Sequence, residues 1–188
     1  IYPVANVTQY RNTNGTGDQT MSYDYTWFSG TIQPESVTTT LPIVTTGQNG
    51  SNSANTSVTV SDDRGRVIWA KDEAGFINYF SYDDVTGGTT KVIRDVDTAQ
   101  TGTFANLPSG WSTPGGGGLH LTTVYELDDQ GRTTKETEPN GTVNYTVYKD
   151  ADHEVRYYPA WNAGTDLPTG PISAVSYTHL TLPTNREV

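Results

Sequence analysis

Hydrophobic and polar residues alternate along this chain in short runs, and clusters of Gly, Asn, Asp and Ser separate the runs. Short runs rich in Val, Thr and Tyr between turn formers are typical of antiparallel strands. The apolar spacing of an amphipathic helix is absent, so the pattern predicts an all-β, loop-rich chain. Strands are predicted over residues 4–10, 19–28, 36–44, 66–71, 76–82, 89–95 and 154–158.

One stretch of this pattern occurs twice, at residues 58–84 and 124–150. The two copies align without a gap, and ten of their 27 positions are identical. Most of the identical positions are turn formers or aromatic residues, so the repeated feature is a supersecondary unit. Internal repeats indicate arrays in which each unit packs against the next.

Each copy contains two four-residue turns that end in glycine, at Gly65 and Gly75 in the first copy and at Gly131 and Gly141 in the second. Asp at the start of such a turn accepts backbone N–H groups, and Gly adopts the positive φ that the turn needs. The ten-residue spacing of the glycines leaves room for a strand of about six residues. Each copy is therefore predicted to be an antiparallel hairpin or short meander.

The two copies resemble the RHS/YD-repeat family, whose signature is a Tyr-Asp pair, a turn, Gly-Arg, a strand, an Asp-x-x-Gly turn, a second strand and Tyr-x-Tyr-Asp. Val60-Ser61 in the first copy and Glu126-Leu127 in the second stand where the leading Tyr would be. The matching residues of the first copy are Gly65, Arg66, Asp72, Gly75, Tyr79, Tyr82 and Asp83. Those of the second copy are Gly131, Arg132, Glu138, Gly141, Tyr145 and Tyr148. Glu138 replaces Asp, Lys149 replaces the final Asp, and the tyrosines are three positions apart instead of two.

The resemblance implies a structural role. RHS/YD proteins are large secreted or cell-surface bacterial proteins whose repeats coil into a hollow β-shell, which in many members encloses a C-terminal toxin. The chain would be a strip of that shell, with the neighbouring repeats and an enclosed toxin domain as its partners. A strip of this kind exposes unpaired sheet edges, and its strands are expected to end abruptly near Ile1 and Ile172.

The tyrosine pairs of the motif are predicted to be structural. Tyr79 and Tyr82 are an odd number of positions apart, so a regular strand points them to opposite faces. The same holds for Tyr145 and Tyr148. We expect one tyrosine of each pair in the core and the other against a neighbouring strand.

The composition and net charge of the chain limit the classes of partner that it can bind. The net charge is −10, which disfavours nucleic acid and anionic membrane surfaces because both need clustered Lys and Arg. No run is long and apolar enough for membrane insertion. The chain contains no cysteine, which excludes disulfides and thiol catalysis and fits an exported bacterial protein.

The end of the chain is predicted to have a different origin from the rest. Residues 175–184 read Val-Ser-Tyr-Thr-His-Leu-Thr-Leu-Pro-Thr, which resembles the in-frame translation of a transposon-end adapter used in sequencing libraries. We therefore assign residues 1–173 to the repeat region, with a loop-rich insertion at 98–118, and exclude residues 174–188 as a non-native tail. The first residue is Ile1, and we expect the chain to be an internal fragment of a longer reading frame.

Two clusters could bind ligands, but their context favours turns. The glycine run 115–118 lacks the Lys-Ser/Thr of a P-loop, and a predicted strand follows it instead of a helix. The cluster 150–154 (Asp-Ala-Asp-His-Glu) lacks EF-hand spacing and the additional His or Cys of a zinc site. A flexible loop and a polar hairpin turn are predicted at these two positions.

The sequence gives equally little support for a catalytic site. His120 and His153 lie outside a G-x-S-x-G context. The carboxylate pairs at 62–63, 83–84 and 128–129 could serve glycoside hydrolysis, but all three lie in predicted turns. The sequence therefore predicts no enzyme, no catalytic residue, no cofactor and no metal.

A carbohydrate-binding or adhesive module at the cell surface is the alternative, with a glycan as the partner. Its basis is the aromatic residues, which can stack on sugar rings. Trp69, Trp111 and Trp161 are the candidates. Trp69 lies on a repeat strand and is predicted to be in the core, whereas Trp111 and Trp161 lie in predicted loops.

Overall fold

The computed structural model describes residues 3–176 and confirms the all-β class. Within this range the helical elements are two 3-10 turns, at Thr46–Gln48 and Asp150–Asp152. The strands are β1 (Asn6–Tyr10), β2 (Asp18–Trp27), β3 (Pro34–Thr40), β4 (Thr56–Ser61), β5 (Val67–Lys71), β6 (Ile77–Tyr82), β7 (Thr89–Arg94), β8 (Leu121–Leu127), β9 (Thr133–Thr137), β10 (Val143–Lys149), β11 (Glu154–Tyr158), β12 (Trp161–Asn162), β13 (Leu167–Pro168) and β14 (Ser173–Ser176).

Twelve strands form an antiparallel sheet in the order β1 to β11 followed by β14, and β12 pairs with β13. Each of the first eleven strands therefore lies beside its neighbour in the sequence, although the connections at residues 41–55 and 95–120 are long. The chain divides into two compact units, Ile1–Ser81 with Lys91–Thr122, and Tyr82–Thr90 with Thr123–Val188. We call them unit 1 and unit 2. No helix among the described residues has the length and apolar character to span a membrane.

Unit 1 contains the hydrophobic core. Four residues have no exposed surface: Trp69, Ile77, Ile93 and Val96. They come from β5, β6, β7 and the residues after β7. The flanking strands β2, β3 and β4 pair antiparallel, and the register shifts near Trp27 in the β2–β3 pair and near Ser61 in the β4–β5 pair.

The insertion at residues 98–118 covers this core. It is irregular, as predicted, and Phe104, Leu107 and Trp111 pack against the buried residues. The indole N–H of Trp69 donates to the Ala105 carbonyl at 3.2 Å, so the buried polar atom of this side chain is satisfied. Trp69 is thus held by contacts of its ring and by its N–H, and its complete burial confirms its prediction as a core residue.

Unit 2 is built on the second repeat. β9 and β10 form the predicted hairpin, and β11 continues the sheet with Tyr145 opposite Tyr158. Asn144 is a buried polar residue, with 4% of its surface exposed. Trp161 was predicted to lie in a loop but begins the two-residue strand β12, and its ring packs edge-on against Tyr145 and Tyr158.

The predicted elements agree with the structure apart from their ends. The strand predicted at 36–44 ends at Thr40. The expectation that the strands end near Ile172 is wrong, because β14 (Ser173–Ser176) pairs with β11. All four residues of β14 are exposed, so this strand adds backbone pairing without burying side chains. The remainder of the tail, 177–188, and Ile1 lie outside the described residues.

Candidate functional site

The first turn of each repeat is built around one aspartate. The Asp62 carboxylate accepts the backbone N–H groups of Arg64 (3.0 Å) and Arg66 (2.8 Å) and the Arg66 Nε (2.7 Å). Asp128 accepts the equivalent groups of Gln130 (3.0 Å) and Arg132 (2.9 and 2.7 Å). Burial raises the pKa of both carboxyls, but these hydrogen bonds together outweigh it and hold the pKa below its ordinary value. The Asp–Gly-Arg part of the motif is therefore a turn, as predicted.

Arg132 also connects the two ends of the second repeat. Its guanidinium donates to both carboxylate oxygens of Asp150 (2.7 and 3.1 Å) and lies 4.1 Å from the centroid of the Tyr148 ring. The hydrogen bonds to Asp150 and Asp128 raise the pKa of Arg132. The hydrogen bonds from Arg132 in turn lower the pKa of Asp150. An arginine can make this planar, bidentate and stacked contact, whereas a lysine cannot.

The second turn explains why Glu138 can replace Asp. In the first copy, Asp72 accepts the N–H groups of Ala74 (3.0 Å) and Phe76 (2.9 Å). In the second copy, Asn140 accepts the N–H of Thr142 (2.9 Å), and the longer Glu138 instead accepts from the Asn144 amide (2.9 Å). Gly65, Gly75, Gly131 and Gly141 all have positive φ, between 78° and 91°, as the turns predicted.

Asn78 and Asn144 have a role that the sequence analysis missed. The Asn144 Oδ1 accepts the backbone N–H of Ala160 (2.9 Å), and the Asn78 Oδ1 accepts that of Asp95 (3.4 Å). Asp95 and Ala160 follow β7 and β11, the strands that come directly after each repeat, and both have φ near +50°. The available signal was that asparagine is identical at this position of both copies.

The motif tyrosines all lie in half-buried positions. Tyr79 packs against the core with its ring centroid 4.7 Å from that of Trp69. Tyr145 contacts Trp161 at 5.5 Å, and Tyr148 lies under Arg132. Tyr82 ends β6, and the next residue, Asp83, accepts the N–H groups of Val85 (3.1 Å) and Thr86 (2.6 Å) in a further turn.

The glycine run binds a carboxylate of its own chain. The N–H groups of Gly118 (2.8 Å) and Leu119 (2.9 Å) donate to the two oxygens of Asp95. A phosphate at this position would meet a negative charge that already occupies the donors. The loop therefore stabilises the base of the insertion.

Both histidines lie outside the strands: His120 directly precedes β8, and His153 lies in a turn. Asp97 N–H donates to Nδ1 of His120 (3.1 Å), and Nε2 lies 3.0 Å from the Thr103 hydroxyl. Both ring nitrogens thus hold the insertion in place. His153 ends the 3-10 turn Asp150–Asp152 with φ 52°. Across the described residues, no group of three or more His, Asp or Glu has the geometry to hold a metal ion.

Of the three candidate tryptophans, Trp161 is the one beside an open groove. Trp69 is fully buried, and Trp111 packs on it at 6.4 Å. Tyr145, Val147, Tyr158 and Trp161 line a groove of about 410 Å³, which we call the aromatic groove. Trp161 meets Tyr145 and Tyr158 edge-on at 5.5 and 6.1 Å, and 41% of the Val147 surface is exposed.

No protein-family model matches the chain, and the curated proteins contain no match either. The functional argument therefore rests on the repeats and on the surfaces that they present.

Proposed function

We propose that this chain is a structural repeat segment of a large secreted or cell-surface bacterial protein of the RHS/YD type, and that it forms part of a β-shell enclosing a C-terminal toxin or effector. The observation that carries the proposal is the pairing of both 27-residue copies into successive strands of one antiparallel sheet in chain order. An array of this kind grows by adding further repeats at its ends.

The side chains of the motif support a structural role. Asp62, Asp128 and Arg132 are engaged in hydrogen bonds that close turns and join the ends of a repeat. Their polar groups are therefore occupied within the chain and serve to set strand register. In the proposed shell, neighbouring repeats pair with the terminal strands and the toxin is the enclosed partner.

Edge pairing provides the test. Tyr23 N–H donates to the Ala5 carbonyl (2.8 Å), so by antiparallel alternation the N–H of Thr8 points away from β2. Thr8→Pro removes this outward donor and leaves the β1–β2 ladder intact. Thr8→Val is the matched control, since it keeps the donor and removes only the hydroxyl that bonds Thr20.

We expect concentration-dependent self-association of the unmodified chain in sedimentation velocity, because unpaired edges template association. The Thr8→Pro variant should self-associate more weakly, and the Thr8→Val variant should self-associate as the unmodified chain does. A stable monomer at all concentrations would contradict the proposal and favour a self-contained module.

A carbohydrate-binding or adhesive module is the second candidate, and the aromatic groove favours it. Rings at the surface of a strand can stack on sugars. A glycan array with the full chain tests this function. Glycan binding that Trp161→Ala abolishes would support a sugar site in the aromatic groove, whereas binding that survives the substitution would mean that the sugar site lies on another surface.

A further inference from the structure

The correspondence between the two repeats extends beyond the 27 aligned residues. Asp95 and Ala160 each donate to the motif asparagine and have φ of 51° and 49°. The carbonyl of each then accepts a backbone N–H from the end of a loop, from His120 (2.8 Å) and Thr169 (3.0 Å) respectively. Asp95 and Ala160 therefore occupy equivalent positions in the fold.

This equivalence relates the core of unit 1 to the aromatic groove of unit 2. Counting from Asp95 and Ala160, Ile93 corresponds to Tyr158 and Val96 corresponds to Trp161. The aligned repeats add two further correspondences, Tyr79 with Tyr145 and Trp69 with Lys135. Ile93, Val96 and Trp69 are fully buried, whereas Tyr158, Trp161 and Lys135 retain exposed surface.

The two loops account for the difference. The loop from Asp95 to His120 carries Phe104, Leu107 and Trp111 onto the core. The loop from Ala160 to Thr169 is far shorter and brings Trp161 to the groove. The aromatic groove therefore lies on the face of the second repeat that corresponds to the core face of the first. The loop from Ala160 to Thr169 covers less of this face than the insertion covers in unit 1.

We propose that the aromatic groove binds a polypeptide segment of a partner, one that presents aromatic and aliphatic side chains from a turn-rich loop as the insertion 98–118 does. This adds a second contact surface to the proposed structural role, distinct from the edges of the sheet. In unit 1 the covering segment supplies a Phe, a Leu and a Trp, together with the Ala105 carbonyl as a backbone acceptor. Aromatic and aliphatic side chains of this kind can pack against the three rings and the valine that line the groove.

The polar groups beside the groove favour a peptide over a sugar. Lys135, opposite Tyr145, donates to Glu126 (2.7 Å), and Arg156, opposite Val147, is paired with Glu154. These charged groups already use part of their hydrogen-bonding capacity on each other, so the hydroxyls of a sugar ring would have to share them with an existing ion pair. Apolar side chains carry no such requirement.

The test uses the full chain, labelled with ¹⁵N, and a synthetic peptide with the sequence of residues 98–118. We expect saturable chemical-shift changes at the Trp161 indole and at the amides of Tyr145, Val147 and Tyr158. Val147→Glu should weaken binding about tenfold or more, the usual scale for a central contact. Val124→Glu is the matched control, since Val124 is 39% exposed on β8 and lies outside the groove lining, and it should change affinity less than about twofold.

A second peptide, with Ala in place of Phe104 and Trp111, should not bind. The proposal is overturned if the native peptide does not saturate, if Val147→Glu binds as well as the unmodified chain, or if cellohexaose or chitohexaose shifts the same residues and the peptide does not. The last result would favour the carbohydrate function. Val147→Glu should leave self-association at β1 unchanged, so failure at the groove and failure of edge pairing are separate results.

Discussion

The buried asparagine of the second repeat offers the sharpest test of how the motif stabilises the fold. Asn144 is 4% exposed, and its Oδ1 accepts the Ala160 N–H at 2.9 Å. Its Nδ2 donates to Glu138 at 2.9 Å and more weakly to Glu136 at 3.4 Å. Asn144→Ala removes all three contacts and leaves the Ala160 N–H without this acceptor.

The expected cost follows from these contacts. A buried donor that loses its acceptor costs about 1–3 kcal/mol, and a hydrogen bond to a charged group contributes about 1.5–3 kcal/mol when it is buried. Glu138 is only half-buried, so its bond lies at or below the lower figure. We therefore expect Asn144→Ala to lower the free energy of unfolding by about 2–4 kcal/mol.

Two matched variants isolate the cause. Asn78→Ala removes the equivalent bond of the first repeat, which is longer (3.4 Å) and half-buried, so we expect a smaller loss of about 0.5–1.5 kcal/mol. Asn144→Asp keeps the acceptor for Ala160 but places a carboxylate beside Glu138. It should destabilise the chain at neutral pH and recover stability on mild acidification, because protonation removes the repulsion between like charges.

Urea unfolding followed by near-ultraviolet circular dichroism measures these changes, because Tyr145 and Tyr79, which directly follow the two asparagines in the sequence, each pack against a tryptophan. The reasoning would be refuted if Asn144→Ala cost less than about 0.5 kcal/mol, below the range of a buried hydrogen bond. It would also be refuted if Asn78→Ala cost as much as Asn144→Ala.

Two further predictions concern the same unit. Gly131→Ala should lower the unfolding midpoint in urea more than Gly141→Ala, because both residues have positive φ but a Cβ at Gly131 would lie 2.8 Å from Thr86, whereas that at Gly141 meets open space. The depressed pKa of Asp150, which the Arg132 contact causes, predicts stability that is present above its ordinary value of 3.8 and lost as the pH falls through the lower value in the folded chain. Acid titration of Asp150→Asn, followed by circular dichroism, should show a smaller loss, and an unchanged acid transition would count against the Arg132 contact.

The local parts of this fold could be predicted from the sequence because their causes are local. The Asp–Gly turns and the strands between them depend on residues within five positions, as the Asp62 hydrogen bonds show. Binary patterning then identifies the hairpins. The replacement of Asp by Glu138 could be noticed in the sequence, but its compensation by Asn140 required the geometry of the turn.

The contacts that hold later segments of the chain on the repeats are long-range and left no periodic signal. Trp69 is covered by a segment 36 positions later, and Asn144 bonds a residue 16 positions later. The glycine run at 115–118 was correctly assigned to a loop, but its contact with Asp95 depends on tertiary folding. The sequence analysis also did not select Trp27, which is 39% exposed and stacks on Tyr25. The aromatic groove depends on the same long-range packing, because Trp161 contacts Tyr145, which lies 16 positions earlier in the chain.

The tail provides the final prediction, because β14 lies where the adapter-like sequence begins. Its four residues pair with β11, yet all are exposed, and Val175 retains 55% of its surface. Ordering a residue costs about 1–2 kcal/mol, and each net backbone hydrogen bond returns about 0.5–1.5 kcal/mol, so an edge strand without side-chain burial contributes close to nothing. Deletion of residues 173–188 should therefore change the melting temperature by less than about 4 °C, which corresponds to roughly 1 kcal/mol for a chain of this size. Deletion of 177–188 is the control that keeps β14. A drop beyond about 8 °C on removing 173–188, with 177–188 dispensable, would show that β14 is an integral strand and that the native fold extends into the adapter-like sequence.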